Sequence, residues 1–347
     1  MNPAVERRAS GPSGSMAAGR GRPALHQAVP TMLPRGSHVS CGYMTRRMDS
    51  LSGPLPQGPP HRPPHRPKIG VFDSGVGGLT VLSALVKRIP CADYLYFGDT
   101  ARLPYGSKSA ATVAHYAVGA VRYLQEQGAE LLVIACNTAT ALALDEIKAA
   151  AGVEVIGVVE PGAHAAAGAT RKRKVVVIGT EATISSHAYR RALEALEVAV
   201  REKACPLFVP LVEEGWVEHP VTEQVARIYL SEAFARVPSD DAGDFNADVL
   251  VLGCTHYPLI KPLLRRVAPA HIAIVDSAES TAQEVARHLE RQLKTEPLPS
   301  SGETKSARID APGLKFFATD SAEKFKRMGT RFLGLPVENV VHVDLKE

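Results

Sequence analysis

Aromatic residues and cysteines are scarce in this chain, and long apolar runs are absent. Only 5% of the 347 residues are aromatic, and the five cysteines are too few, and odd in number, for a disulfide framework. The longest aliphatic stretches, such as residues 131–136, have the length of a strand and fall well short of the roughly 18–20 residues of a membrane span. Because 45% of the residues are hydrophobic, the chain has enough aliphatic side chains for a sizeable core, which excludes disorder of the whole chain.

Excess positive charge is also absent from most of the chain, although the formal net charge is +4. Residues 1–67 contain nine arginines against two acids, which gives +7 there and leaves −3 for residues 68–347. A nucleic-acid-binding protein needs a basic face, so we expect no nucleic acid partner. Since no apolar run is long enough for a membrane span, we also expect no membrane partner.

Residues 1–67 form a separate compositional zone. They hold twelve of the 26 prolines and eight of the 28 glycines, with no apolar periodicity. Such a segment buries too little apolar surface to offset its ordering entropy, so we expect a disordered extension over 1–67. It lacks the apolar core of a secretory signal, and an organellar transit peptide is an alternative interpretation of its arginines. Free cysteines and the missing signal predict a cytoplasmic protein.

From residue 68 onward, short apolar runs alternate with helical patterns. The sequence predicts strands over 69–72, 94–97, 131–136, 153–159, 175–178, 248–253, 272–275 and 314–318. It predicts helices from 79 and over 110–127, 139–151, 185–199, 258–267, 281–293 and 322–333. Uniformly apolar strands that alternate with helices are typical of parallel sheets covered on both faces. We therefore predict an α/β fold with mainly parallel sheets.

One internal similarity has chemical meaning. The segment LVIACNT at 132–138 resembles LVLGCTH at 250–256, so each half of the chain has a cysteine after a strand and before a predicted helix. Helix N-termini stabilise a thiolate, which predicts a pKa below about 8.5 for Cys136 and Cys254. Open α/β sheets bind ligands at the carboxyl ends of their strands. Two facing thiols there suit a two-base proton exchange that inverts a stereocentre.

Two other interpretations of these motifs are weaker. Cys254 and His256 are potential zinc ligands, but the chain has no paired ligand spacing of the kind that structural zinc sites use, and we predict no metal site. The glycines at 75–78 follow a strand as in a dinucleotide-binding loop, but Thr80 occupies the place of the third glycine. We prefer a glycine turn that brings the backbone close to a small ligand.

Several motifs resemble the glutamate racemases of the aspartate/glutamate racemase family. They are VFDSGVGGL at 71–79, YFGDT at 96–100, PYG at 104–106, ACNTA at 135–139, VPLVEEG at 209–215 and GCTHYP at 253–258. The resemblance covers residues 68–347 and none of the extension. It implies two pseudo-symmetric three-layer α/β domains with the site in the cleft between them. The first domain would be discontinuous, 68–160 plus 275–347, and the second would be 161–274.

The resemblance also implies an activity and a set of site residues. Members of the family interconvert L- and D-glutamate without a cofactor, for peptidoglycan synthesis, cell wall biogenesis and cell shape. By this resemblance Cys136 acts on D-glutamate with help from Asp73, and Cys254 acts on L-glutamate with help from Glu213 and His256. The substrate-binding residues implied are Asp73, Ser74, Tyr105, Gly106, Asn137, Thr138, Thr255 and His256, and the segment 179–183 is a further candidate.

Three alternatives stay open on the sequence. Another acidic amino acid, such as aspartate, would use the same chemistry. A non-catalytic glutamate-binding regulatory protein would share the fold but would need neither cysteine. A redox switch would require the two sulfurs to approach within bonding distance. A homodimer is a further option, because family members differ in how they associate.

Overall fold

The computed structural model describes residues 65–235, 245–295 and 311–345, in which helices alternate with parallel strands. The strands are β1 (Lys68–Asp73), β2 (Asp93–Gly98), β3 (Leu131–Ile134), β4 (Glu154–Gly157), β5 (Lys174–Gly179), β6 (Ala199–Ala204), β7 (Val249–Gly253), β8 (Ala273–Asp276), β9 (Leu314–Ala318) and β10 (Val340–His342). The helices are α1 (Leu79–Arg88), α2 (Ala110–Glu126), α3 (Asn137–Ala150), α4 (Val159–Ala169), α5 (Glu181–Ser185), α6 (Ala188–Glu194), α7 (Phe208–Glu213), α8 (Pro220–Phe234), α9 (Lys261–Val267), α10 (Ser277–Thr295) and α11 (Ala322–Leu333). Residues 1–64 of the predicted extension lie outside the described residues.

These strands form two sheets, and every strand pairing is parallel. The first sheet has the order β10-β9-β2-β1-β3-β4, and the second has the order β6-β5-β7-β8. Strands β3 and β7 are buried along their whole length, as expected for apolar strands covered on both faces by helices. The prediction of an α/β fold with two parallel sheets is confirmed.

Several predicted elements are wrong in part, and two of them show why. The predicted helix over 185–199 is broken at His187, which has a left-handed backbone with φ of 55°, and α6 ends at Glu194. The following residues form β6, because pairing with β5 outweighs the helix preference of this alanine-rich stretch. The predicted strand over 153–159 ends at Gly157, and α4 begins two residues later. Short apolar runs do not distinguish a strand from a buried helix by periodicity alone.

The two sheets share one apolar core. A single cluster of buried side chains includes Val71 of the first sheet together with Val176 and Leu250 of the second. Helix α10 follows the last strand of the second sheet and packs against α1 and α4. Strands β9 and β10 follow α10 but belong to the first sheet, so the chain returns to that sheet after completing the second. The domain boundaries given above stay a prediction.

Within the part of the chain that the structure describes, none of the helices combines the length and the apolar character that a bilayer crossing requires.

A close contact at the end of β2 tests the packing of the first sheet. A Cβ atom on Gly98 would overlap the backbone oxygen of Gly75 and lie 2.7 Å from Phe325 Cε2. We expect Gly98→Ala to lower the free energy of unfolding by about 2 kcal/mol or more, because a packed interior tolerates added atoms poorly. Urea unfolding followed by circular dichroism measures this change.

The matched control is Gly168→Ala in α4, where an added Cβ would meet nothing within 4 Å. Alanine favours helix over glycine by up to about 1 kcal/mol, so this variant should be as stable as the wild type or slightly more stable. Equal destabilisation by both substitutions would contradict the close contact at Gly98.

Candidate active site

The candidate site residues lie at the carboxyl ends of two neighbouring strands in each sheet. Asp73 ends β1 and Cys136 follows β3 in the first sheet, whereas Thr180 follows β5 and Cys254 follows β7 in the second. Parallel strands place these ends at one edge of each sheet, which is where α/β folds bind ligands. Both cysteines have only 5% of their surface exposed. The two sequence-similar segments therefore occupy equivalent places in the two sheets.

Cys136 lies at the N-terminus of α3. Its Sγ accepts a hydrogen bond from the backbone N–H of Ala139 at 3.4 Å and donates one to Ser74 Oγ at 3.5 Å. Burial, and to a smaller extent the charge of Asp73, nevertheless raise the pKa of the Cys136 thiol to about 12. The predicted lowering of this pKa is wrong, because loss of solvent around the thiolate outweighs the helix N–H groups.

Cys254 does not precede an α-helix, contrary to the sequence prediction. A turn of 3₁₀-helix covers Tyr257–Ile260, and α9 begins only at Lys261. Pro262 accounts for part of this, since a helix continuous from Tyr257 would need its N–H to bond the carbonyl four residues back, and proline lacks that N–H. The group beside the thiol is instead a side chain, because His256 Nδ1 lies 3.9 Å from Cys254 Sγ.

His256 joins Cys254 to Glu213. Its Nε2 lies 3.2 Å from Glu213 Oε1, and its ring is nearly buried beneath the edge of Phe332. Burial by itself would lower the pKa of His256, but hydrogen bonds and charge from Cys254 and Glu213 raise it to about 10. Burial likewise opposes ionisation of Glu213, and the bond to His256 still holds its pKa below the usual value. At neutral pH, the histidine is therefore a cation that donates to both neighbours.

Asp73 connects the two sheets. Its carboxyl group is fully buried, accepts from the backbone N–H of Gly75 at 2.9 Å, and accepts from Thr255 Oγ1 at 3.4 Å. Burial raises the pKa of Asp73, and the charge of His256 with these hydrogen bonds offsets part of the rise. The first cysteine's proposed assistant is thus hydrogen-bonded to the residue that follows the second cysteine.

The glycine turn after β1 lets the two strand ends meet. A Cβ on Gly77 would overlap Thr255 Oγ1 and lie 2.6 Å from His256 Nδ1. Only glycine fits there, because its missing side chain leaves room for the GCTHYP segment. The turn therefore brings the backbone close to protein side chains of the other sheet, a role that the dinucleotide interpretation did not include.

Threonine hydroxyls make a second connection between the sheets. Thr138 Oγ1, in the first turn of α3, lies 3.0 Å from Thr180 Oγ1 and 3.3 Å from Thr183 Oγ1. Gly106 lies against the same group, since a Cβ there would be 3.2 Å from Thr180 Cβ. The segment 179–183, the further candidate named above, thus lies beside two of the predicted substrate-binding residues.

Tyr105 is placed differently from a direct substrate donor. Its hydroxyl donates to the buried carboxylate of Asp99 at 2.6 Å, and Asp99 also accepts from Thr319 at 2.8 Å and Arg102 at 3.1 Å. The phenol is therefore committed to a buried carboxylate, and the adjacent backbone at Gly106 is the part of this loop that faces Thr180. Asp99 stands in the YFGDT motif, which could have pointed to it.

Two contacts of Asn137 involve residues that the sequence did not indicate. Asn137 Oδ1 accepts from the hydroxyl of Tyr189 at 2.7 Å, and its Nδ2 donates to Ser277 Oγ at 3.4 Å. Tyr189 lies in α6 and Ser277 begins α10, far apart in the chain. A lone tyrosine in a helical stretch carries no sequence signal for such a role.

The geometry supplies two buried thiols, one from each sheet, with a carboxylic acid near the first and a cationic histidine beside the second. Hydroxyl, amide and backbone donors surround them, which suits a small anionic ligand. Within residues 65–235, 245–295 and 311–345, no three His, Cys, Asp or Glu side chains are grouped closely enough to hold a metal ion.

Known proteins are similar to this chain in sequence. The model of the Asp/Glu/Hydantoin racemase family matches residues 80–285. Over 290 residues the chain is 60% identical to a glutamate racemase of Koribacter versatilis (strain Ellin345), which covers 80% of this chain and 97% of that relative.

Solved structures agree with the sequence match. A glutamate racemase from Bacillus anthracis aligns with a TM-score of 0.71 and 35% identity over 80% of this chain and 98% of its own. The glutamate racemase from Francisella tularensis in complex with D-glutamate aligns with a TM-score of 0.69 and 35% identity, over 81% of this chain and 98% of its own. The chain therefore belongs to the Asp/Glu/Hydantoin racemase family and is an enzyme of the isomerase class.

Proposed function

We propose that this chain is a glutamate racemase that interconverts L- and D-glutamate with two cysteine bases and without a cofactor. The observation that carries the proposal is the burial of Cys136 and Cys254 at equivalent strand ends of the two sheets, with donor side chains around them. The 60% identity to a glutamate racemase supports glutamate as the substrate. A small-molecule substrate is also supported by the relative that binds D-glutamate.

In this proposal each thiol serves one face of the α-carbon. Cys254, as a thiolate, removes the α-proton of L-glutamate, and Cys136, as a thiol, delivers its own proton to the opposite face. One C–H bond breaks and another forms, so the step leaves Cys254 as the thiol and Cys136 as the thiolate. The reverse reaction begins with Cys136 as the base on D-glutamate.

The charges described above support this assignment for the free enzyme. The raised pKa of Cys136 keeps it protonated at neutral pH, so it begins as the proton donor. A cationic His256 next to Cys254 stabilises negative charge on that sulfur, so Cys254 begins as the base. Glu213 assists by keeping His256 protonated, and we assign to Asp73, whose charge acts on the Cys136 thiol, the role of assisting Cys136.

The remaining residues would hold the substrate. The α-hydrogen of an amino acid is a very weak acid, so the carboxylate must be held by fixed donors that stabilise the charge developing beside it. We assign this binding to Ser74, Asn137, Thr138, Thr255, His256 and the backbone at Tyr105 and Gly106.

We further propose that the D-glutamate supplies peptidoglycan synthesis, because that polymer contains D-glutamate and the homologous relatives are bacterial.

Loss of either active thiol should abolish racemisation. We expect Cys136→Ala and Cys254→Ala each to lower kcat/KM at least a hundredfold, since a positioned base contributes roughly 10²–10⁴-fold. The two enantiomers have equal free energy, so both directions must fall by the same factor. Polarimetry with each pure enantiomer measures the rates.

The matched control is Cys205→Ala. Cys205 is also fully buried, but its sulfur donates to the backbone oxygen of Lys203 at 3.7 Å and lies outside the site described. This variant should keep racemase activity. Full activity in either active-site variant would contradict the two-thiol mechanism.

Solvent deuterium distinguishes the substrates and the number of bases. In D2O we expect the product enantiomer of glutamate to carry deuterium at the α-carbon from the first turnover, while the remaining substrate still carries its proton. This follows because the donor thiol has exchanged with solvent before it reacts. Proton NMR of the α-proton, followed together with optical rotation, compares the rate of exchange with the rate of racemisation for L-glutamate and for L-aspartate at equal concentration.

The outcomes separate the alternatives. Exchange of aspartate but not glutamate would replace the substrate and keep the chemistry. No exchange of either amino acid with reduced thiols would favour a binding protein. Product that retains the substrate's own proton would contradict two separate bases.

The His256 ion pair should make stability depend on pH. Because the folded state raises the pKa of His256 from 6.5 to about 10, its contribution is fully present below 6.5 and is lost as the pH rises through about 10. The lowered pKa of Glu213 means that its own contribution is lost in acid instead. Urea unfolding of wild type and His256→Gln should therefore differ most near pH 6 and least above about pH 10.

The control is His187→Asn, which removes a histidine paired with Glu202 at 2.7 Å but 56% exposed, and asparagine tolerates the left-handed backbone there. We expect a small change that varies little with pH. A constant difference between wild type and His256→Gln over the same range would contradict a raised histidine pKa.

A further inference from the structure

We propose that Tyr189 is a positioning residue that fixes the orientation of the Asn137 side-chain amide at the substrate site. Its hydroxyl donates to Asn137 Oδ1 at 2.7 Å, and the whole tyrosine is buried. This inference rests on the proposed function, because Asn137 is assigned there to hold a substrate carboxylate.

The amide of Asn137 has two ends with opposite chemistry. Its oxygen accepts a hydrogen bond, whereas its NH₂ group donates two. A carboxylate ligand requires the donor end, and an amide turned by half a rotation would present its oxygen to that carboxylate. Because the tyrosine hydroxyl donates a hydrogen bond to the amide oxygen, the NH₂ group points away from the tyrosine.

Ser277 completes the arrangement. Asn137 Nδ2 donates to Ser277 Oγ at 3.4 Å, so the amide is held at both ends, by Tyr189 at its oxygen and by Ser277 at its nitrogen. Side chains that are hydrogen-bonded in this way constrain each other's orientation. Among the described residues, the second N–H of the Asn137 amide has no hydrogen-bond acceptor, so it is the donor left for a ligand.

The position of Tyr189 relates the two cysteine segments to each other. Its hydroxyl reaches the residue that follows Cys136. Its ring lies against the residue that precedes Cys254, since a Cβ on Gly253 would be 3.1 Å from Tyr189 Cε2. One rigid, buried side chain from α6 thus touches the loops of both thiols, and a shift of either loop would disturb the amide.

The test uses the full chain and removes only the hydroxyl. We expect Tyr189→Phe to lower kcat/KM for L-glutamate about tenfold or more, because a buried amide oxygen loses its donor and the amide gains the unproductive orientation. The fall should appear mainly as a higher KM, since the carboxylate is already charged in the ground state. The ring stays in place, so thermal unfolding should remain cooperative.

A double-mutant cycle distinguishes positioning from a general structural effect. If Tyr189 acts through Asn137, Tyr189→Phe should change kcat/KM less than about twofold when Asn137 is already alanine. A purely structural loss would instead multiply with the effect of Asn137→Ala. Multiplication of the two effects, or an unchanged kcat/KM in Tyr189→Phe, would overturn the inference.

Tyr94→Phe is the matched control. Tyr94 is equally buried, but its hydroxyl donates to the backbone oxygens of Leu85 at 3.0 Å and Ile89 at 2.8 Å, away from the site. This variant should lose stability without a change in KM. An equal rise in KM for Tyr94→Phe would assign the effect to stability and overturn the inference.

A second variant keeps the inference testable if Tyr189→Phe folds poorly. Ser277→Ala breaks the same set of hydrogen bonds at another point and should lower kcat/KM about threefold or more, again with little further effect in the Asn137→Ala background. No loss there would overturn the inference. If wild type itself leaves glutamate unchanged, the proposed function fails and takes this inference with it, whereas an active wild type with an unaffected Tyr189→Phe refutes the inference alone.

Discussion

At the site, the contact between the two sheets depends on the buried carboxyl group of Asp73. It ends the central strand of the first sheet, and Thr255 of the second sheet donates to it at 3.4 Å. A fully buried carboxyl group is costly unless it is hydrogen-bonded, so this position constrains both neighbouring loops at once. The glycine turn after β1 makes the contact sterically feasible, and with it the two thiol-bearing segments come together.

Both cysteines are buried to the same extent, but their charged neighbours differ. Around Cys136 the nearest charge is the Asp73 carboxyl group, and the pKa of that thiol rises to about 12. Around Cys254 the nearest charge is on His256, held as a cation by Glu213. In the proposed mechanism one cysteine begins as the base and the other as the acid, and these different neighbours suit that division. The two proton transfers swap the protonation states of the two sulfurs, so a proton must return to Cys136 before the next turnover in the same direction.

Much of the fold could be predicted from pattern alone. Uniformly apolar runs such as residues 131–134 and 249–253 are buried on both faces, which is what helices on both sides of a parallel sheet require. The wrong secondary-structure predictions lie where the local helix preference of the sequence disagrees with the strand pairing in the folded chain. Residues 199–204 carry three charged side chains in a helix-favouring context, and they form a strand because β5 offers an edge to pair with. Helix α4 follows β4 too closely for an apolar run to reveal the boundary.

For the site, the chemical groups follow from the sequence alone: two thiols in repeated settings, the glycine turn, and the carboxyl, hydroxyl and amide groups of the motifs. The protonation states and hydrogen-bond partners of these groups depend on the tertiary structure, because a pKa or a hydrogen bond is set by which groups lie close together and how much water remains around them. The commitment of Tyr105 to Asp99, the cationic state of His256 and the contact of Tyr189 with Asn137 arise between segments that are brought together by packing, so no local pattern could have contained them.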